Sequence, residues 1–318
     1  MTVEQKQVSR RPDVLGVHSL DHFAFSVPDL EEARFFYTEF GLEVREAGDT
    51  LELYTYGHPH RWGVIRQGPR KKLQYLSFGV FEDDLPRFRD RFAERGIPLV
   101  DAAAGVESNG IWIKNPDGVP LEIRVAEKSS PDAKSQFNVT SVGPGECAAI
   151  SRSKAPRVHP RRLSHFLMFS TDVLRDIDFY RDVLGLRLSD HSGGIVAFLH
   201  GVHGSDHHLI ALAKSDAPGM HHSSWDVGTI QEVGLGAAHM EGKGFARGWG
   251  LGRHVLGANY FHYVRDPWGS YAEYSCDIDY IPPTTDWPAA DHDPADSLYL
   301  WGPPVPEDFI RNYEGENA

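Results

Sequence analysis

Three short motifs occur twice in this chain, in the same order and at nearly constant spacing, so the fold must be one that can be built twice. Leu20-Asp21-His22-Phe23-Ala24-Phe25-Ser26 returns as Leu163-Ser164-His165-Phe166-Leu167-Met168-Phe169-Ser170, with the histidines 143 residues apart. Phe36-Tyr37-Thr38-Glu39-Phe40-Gly41-Leu42 returns as Phe179-Tyr180-Arg181-Asp182-Val183-Leu184-Gly185-Leu186, and Tyr37 to Tyr180 is again 143. Asn115-Pro116-Asp117-Gly118 with Glu122 returns as Asp266-Pro267-Trp268-Gly269 with Glu273, at a spacing of 151. Duplication accounts for all three.

Each half carries the same order of elements. Leu20 to Val27 and Leu163 to Ser170 alternate with the period of a half-buried strand. An amphipathic helix follows each. Pro28-Asp29-Leu30 opens the first and Gly41 ends it, while Thr171-Asp172 caps the second and Gly185 stops it. Short strands follow, such as Leu51 to Tyr56 and Gly194 to Leu199. Leu73 to Phe81, with Leu85 to Arg95 as its helix, and Met220 to Val227 each begin a second unit. The expected class is therefore α+β, two domains each of two βαβββ modules. Periodicity disappears over residues 127–161, rich in Ser, Pro, Lys and Gly, which places a linker there. The division is 1–145 for an N-terminal pair, 162–281 for a C-terminal pair, and 282–318 for a Pro- and Asp-rich tail packed on the domains through Trp287, Tyr299, Leu300, Trp301 and Phe309.

Charge and cysteine content exclude several classes. Lys plus Arg 32 against Asp plus Glu 45 gives −13, which disfavours a nucleic acid or an anionic membrane as partner. Two cysteines, Cys147 and Cys276, make no disulfide framework, and Met1 to Asp13 lacks the apolar core of a leader, so a cytoplasmic location is expected. No apolar run approaches a membrane span. The 17 histidines, several in adjacent pairs, carry the chemistry instead.

His165 and His222 fall on the first strands of the two C-terminal modules, and Glu273 on the last strand. A lone strand histidine is more often a hydrogen-bonded core residue. Three at matching positions of a duplicated unit can instead meet around one axis, and two neutral imidazoles with one carboxylate suit divalent iron or manganese with open positions. The N-terminal half is an internal control. His22 and Glu122 match His165 and Glu273, but the slot of His222 holds Tyr75, so no metal is expected there. Gly244, Gly248, Gly250 and Gly252 follow no phosphate-loop pattern and indicate a turn-rich loop beside the pocket.

Gly252-Arg253-His254, then Phe261, Tyr263, Asp266-Pro267, Gly269 and Glu273, resembles the signature of type I extradiol ring-cleavage dioxygenases of the vicinal oxygen chelate (glyoxalase/bleomycin-resistance) superfamily. The resemblance spans residues 17–280. It implies the glyoxalase-like fold and a catalytic C-terminal domain beside a non-catalytic N-terminal one. The implied reaction inserts both atoms of O2 into a catechol, with ring opening next to the diol. His165, His222 and Glu273 would hold Fe(II), with Mn(II) as the alternative. His208, by its His-x-x-Ala-Leu context, would be the acid–base residue, and His254 with Tyr263 the hydrogen-bonding pair on the substrate side. Strand alternation lets only one of His262 and Tyr263, and one of His207 and His208, face the pocket. Leu167, Phe198, Trp249 and His262 are candidate pocket residues. Where relatives that cleave acid-bearing catechols have an Arg before Gly-Arg-His, Trp249 stands here with Arg247 nearby, which favours an uncharged, bulky aromatic substituent. A homo-oligomer is also implied. The alternatives are a glyoxalase-type metal isomerase or lyase, whose metal has four ligands drawn from both modules, and a metal-free ligand-binding protein.

Overall fold

The computed structural model describes residues 8–139 and 141–315; the outermost parts of the segments 1–145 and 282–318, including much of the polar N-terminus, lie outside the described residues. In the first half the order is β1 (Ser19–Val27), α1 (Leu30–Phe40), β2 (Glu43–Ala47), β3 (Thr50–Tyr54), β4 (Gly63–Gln67), β5 (Lys72–Val80), α2 (Asp84–Glu94), β6 (Ile111–Lys114) and β7 (Pro120–Val125). The second half runs β8 (Arg162–Ser170), α3 (Val173–Asp182), β9 (Arg187–Ser192), β10 (Val196–His200), β11 (Ser205–Asp206), β12 (Ile210–Lys214), β13 (Gly219–Asp226), α4 (Ile230–Gly242), β14 (Gly248–Arg253), β15 (Tyr260–Arg265), β16 (Tyr271–Cys276), β17 (Tyr280–Ile281) and β18 (Ala290–Asp291).

Two large sheets result, ordered β2-β3-β4-β1-β5-β7-β6 and β14-β15-β16-β13-β8-β12-β10-β9-β18, beside a small β11-β17 pair. Their centres match. In each, the first strands of the two modules pair antiparallel, β1 with β5 and β8 with β13, and each is flanked by a parallel last strand of its own module. Among the described residues three modules carry the full βαβββ order, whereas the second N-terminal module has only two strands after its helix. Residues 97–106 stay irregular there. Pro98 brings no N–H to a ladder, and one backbone bond, Val100 N–H to Trp112 O at 2.9 Å, ties the segment down.

Local chemistry explains the helices. Asp29 accepts from the Glu31 and Glu32 amides at the start of α1, and Gly41, at φ 104, ends it in a conformation that disfavours a side chain. The buried stripe Ala33, Phe36, Tyr37 and Phe40 then packs inward. The halves share one apolar core. Phe23 meets Phe166 at 5.1 Å between ring centres, and Phe40 stacks on Tyr274 at 4.0 Å while its carbonyl accepts the Tyr274 hydroxyl at 2.7 Å. The C-terminal segment fastens both sheets: Glu314 accepts from the Leu73 amide on β5 at 2.7 Å and from the Met220 amide on β13 at 2.9 Å.

Burial also writes a pH dependence into the fold. Desolvation pushes His18, His203 and His262 down to about 4 and His200 to about 3, from an ordinary 6.5. The unfolded chain binds protons at these sites that the folded chain refuses, so stability is complete above pH 6.5 and falls as pH drops toward 4. Chemical denaturation of the apo-protein at about pH 7.5 and about pH 5 should show a loss on the order of 1–2 kcal/mol per imidazole. An unchanged midpoint would contradict this burial.

Candidate active site

Residues 57 and 51 positions apart in sequence converge because their strands are neighbours. His165 on β8, His222 on β13 and Glu273 on β16 occupy three adjacent strands, and Ser224 on the middle strand is paired with both His165 and Glu273. One donor atom from each lies within 4.8 Å of the others, all buried; among the described residues this is the one such cluster. His165 Nε2 is 3.2 Å and His222 Nε2 3.6 Å from Glu273 Oε2. His222 Nε2 and Glu273 Oε2 are buried without a hydrogen-bond partner, an expensive arrangement unless something else binds them. A divalent cation fits: two imidazole nitrogens and one carboxylate converge, and the fourth side of the cluster opens into a cavity. Burial alone would raise the Glu273 carboxyl. Contact with His165 and the fields of His165 and His254 outweigh it and hold the group below the usual carboxylate range, ready as an anion.

Two β-bulges break the alternation that sequence periodicity assumes. Between β8 and β13 the pairing slips at Ser164 and at His221, leaving each as an extra residue just ahead of a cluster histidine. The first half slips at the matching places, Asp21 and Gln74. The adjacent pair His221 and His222 therefore does not point to opposite faces. The ring nitrogens meet, Nδ1 to Nδ1, at 2.7 Å. His165 is backed in the same way, its Nδ1–H donating at 3.3 Å to Ser164 Oγ, whose hydroxyl donates to Asp206 at 2.8 Å.

His207 and His208 sit on no strand; they lie between β11 and β12. His208 enters the cavity, its ring centre 4.0 Å from that of His165, and His207 stands behind it. His207 Nε2–H donates to the Asp190 carboxylate at 2.9 Å, which leaves His207 Nδ1 as acceptor for His208 Nδ1–H at 3.1 Å. The His208 lone pair is thereby on Nε2, on the far edge of the ring. Asp190 in turn accepts from His292 at 2.8 Å and from Trp287 at 3.3 Å. Desolvation, reinforced by the fields of His165, His207, His222 and His254, pushes His208 well below an ordinary imidazole, so it rests neutral.

His254 follows β14. Its Nδ1–H donates to Leu298 O at 2.7 Å, so its Nε2 accepts the Tyr263 hydroxyl at 2.9 Å. Of the pair His262 and Tyr263, the structure turns Tyr263 into the cavity. His262, a candidate pocket residue by sequence, is on the opposite face of β15 and lines nothing there, because no bulge interrupts that strand. Trp249 is corrected likewise. It is buried behind the cavity wall, stacked 5.7 Å from Tyr263, with its indole N–H on Pro303 O, so it supports the wall without forming it. Leu167 and Phe198 do line the cavity. Asn259 is a residue that sequence reasoning missed. It lines the cavity and donates to Glu273 Oε1 at 3.1 Å and to Ser275 at 3.0 Å, holding the carboxylate's second oxygen. Ala258 beside it adopts a left-handed φ of 58°, a turn with no motif to announce it.

The cavity measures about 450 Å³, with a polar floor at His165, His208, His222, His254, Asn259 and Tyr263. Its walls are apolar, among them Leu167, Phe198, Leu256, Leu298, Val305 and Phe309. Residues 294–310 supply a whole wall, so the tail does more than cover the domains. No arginine lines it. Arg247 is instead turned to Asp308 at 3.4 Å, and the charged side chains Lys214 and Glu307 are both exposed.

The first half repeats the arrangement without the donor set. His22 and Glu122 each pair with or flank Ser77 as their counterparts do Ser224, and Tyr75 fills the third slot, its hydroxyl donating to His22 Nε2 at 3.2 Å. The Glu122 oxygens are taken by Ser77 and Ser108.

The profile of the Glyoxalase/Bleomycin resistance protein/Dioxygenase superfamily matches residues 19–123 and 162–274, both halves of the chain. Metapyrocatechase 2 of Cupriavidus necator is 50% identical over 299 residues, covering 94% of this chain and 93% of that protein. The manganese-dependent 2,3-dihydroxybiphenyl 1,2-dioxygenase of Geobacillus genomosp. 3 is 23% identical over 304 residues, covering 89% and 93%. Among solved structures, homoprotocatechuate 2,3-dioxygenase from Arthrobacter globiformis superposes with a TM-score of 0.74 at 21% identity, over 96% of this chain and 95% of that one.

Proposed function

The chain belongs to the Glyoxalase/Bleomycin resistance protein/Dioxygenase superfamily, as a metal-dependent extradiol ring-cleaving dioxygenase, and from that premise we propose that it opens an uncharged, substituted catechol on Fe(II) held by His165, His222 and Glu273. The observation that carries this reading is the buried donor cluster at the floor of an apolar cavity, with His208, His254 and Tyr263 around it. Residues 162–281 with the tail form the catalytic part, and 1–145 a non-catalytic partner that shares its core. A homo-oligomer in the cytoplasm belongs to the same proposal; among the described residues no helix is long and apolar enough to cross a membrane.

When bound, divalent iron or manganese supplies Lewis acidity toward the diol and the electron chemistry by which dioxygen reacts with it. The residues do the rest. His208 Nε2, unprotonated at rest, takes a hydroxyl proton from the diol and returns one later, while its Nδ1–H stays on His207. Asp190 steadies the cation formed in between by accepting from His207. Tyr263, whose hydroxyl burial and Glu273 hold well above 10, stays a donor throughout. With His254 it offers a hydrogen-bonding edge to a substrate oxygen. The apolar walls exclude water and orient the ring.

Anaerobic reconstitution with Fe(II), and in parallel with Mn(II), followed by O2 uptake and visible absorbance tests this. Catechol, 3-methylcatechol and 2,3-dihydroxybiphenyl should each consume O2 stoichiometrically and give a yellow ring-opened product. A catechol carrying a carboxylate should be slower in kcat/KM by at least ~100-fold, because the apolar walls hold no arginine to pair it. Preference for the acid would overturn the substrate class. No uptake despite one metal per chain would favour the isomerase chemistry, and the relative rate per bound ion decides between iron and manganese.

A further inference from the structure

His222 offers Nε2 to the cluster only if the ring proton sits on Nδ1, and three atoms outside the cluster decide that. The Phe309 carbonyl, on the C-terminal segment, can only accept. It stands 2.8 Å from His221 Nε2, so that nitrogen carries the proton of a neutral, buried His221. His221 Nδ1 is then an acceptor, and it faces His222 Nδ1 at 2.7 Å, which must donate. We infer that His221 is a positioning residue that transmits the seat of the C-terminal segment to the metal ligand His222, fixing its proton on Nδ1 and presenting Nε2 to the ion. The inference rests on the reading of His222 as a ligand.

The surroundings are built for this. His221 is the extra residue of a β-bulge, which is what brings it onto the same side as His222. Its ring is caged by Phe169, Tyr271 and Phe309 at centre distances of 5.3, 5.4 and 4.8 Å, so it cannot turn over freely. The segment that delivers the carbonyl is itself anchored around the bulge. Asn312 donates to Ala217 O at 2.8 Å, Glu314 accepts from the Met220 amide at 2.9 Å, and Asp308 pairs with Arg265 at 2.6 Å. The wall residue Phe309 and the metal ligand thus share one chain of contacts. Outer partners of this kind tune metal affinity by orienting the ligand ring.

Mn(II) alone is the probe, with free ion counted by electron paramagnetic resonance during titration of full-length apo-protein. His221→Phe keeps an aromatic ring in the cage but removes the acceptor, and should weaken Mn(II) binding ~10–100-fold. His221→Gln can still donate to Phe309 O and accept from His222, and should stay within ~3-fold of the parent. Apo-protein melting temperatures serve as the check on folding. Binding by His221→Phe equal to the parent, or a His221→Gln variant as weak as His221→Phe, overturns the inference. His222→Ala separates the two readings: undiminished Mn(II) binding there overturns the ligand assignment itself. Should His221→Phe not fold, nitrogen-15 spectra of the parent apo-protein answer directly. A proton on His222 Nδ1 and His221 Nε2 supports the inference, and a proton on His222 Nε2 overturns it.

Discussion

Glu273→Ala is expected to lose bound metal and turnover together, with kcat/KM falling on the order of 10³-fold or more. Glu273 is the one anion of the donor set; His165 and His222 contribute neutral nitrogens, and with the carboxylate gone a divalent ion would face two imidazoles and apolar walls. Its burial is complete, so no surface carboxylate can replace it. The fold should survive, because the substitution removes a buried charge from the end of an intact strand, and only Asn259 loses an acceptor in the cavity. Glu273→Gln separates charge from shape. It can keep the contact with Asn259 yet should also lose the metal. Metal content after gel filtration, circular dichroism and O2 uptake on the same samples decide the matter. A Glu273→Ala protein holding one metal per chain at full turnover would remove the carboxylate from the site.

The second large effect should fall on turnover alone. His208→Ala is expected to retain metal and substrate binding while kcat drops about 10²–10⁴-fold, the usual value of a positioned general acid–base group. His208 contributes no atom to the cluster of three, which is why metal retention distinguishes it from His165 and His222. Asp190→Asn acts one step further out. His207 could still donate to an amide oxygen, but a neutral partner no longer steadies a charged His208–His207 pair, so a loss of about tenfold in kcat with little change in KM is expected. Added imidazole should partly restore His208→Ala and not Glu273→Ala. Full turnover by His208→Ala would move the proton chemistry elsewhere, with Tyr263 and His254 the nearest groups.

Much of the site was legible because duplication supplied an internal comparison. His22 with Glu122, and His165 with Glu273, marked equivalent strand positions, and Tyr75 in place of His222 singled out the second half. What failed was local alternation. It placed His221 and His222 on opposite faces, where a bulge sets them side by side. It allowed His262 toward the pocket, and an uninterrupted β15 turns it away. Asn259 stayed hidden because a lone Asn after Gly257-Ala258 has no spacing partner; only its contact with Glu273 reveals it.

The sequence by itself determined the duplicated α+β architecture, the metal-ligand trio and the half that carries it, since those follow from residue types recurring at fixed spacing. Tertiary structure alone decided which ring nitrogen each histidine presents, because the proton on one nitrogen is set by what the other meets: Asp190 for His207, Leu298 O for His254, Phe309 O for His221. It also decided that residues 294–310 wall the cavity. A tail without period or repeat carries no register, and its place follows only from hydrogen bonds and burial against strands far away in the chain.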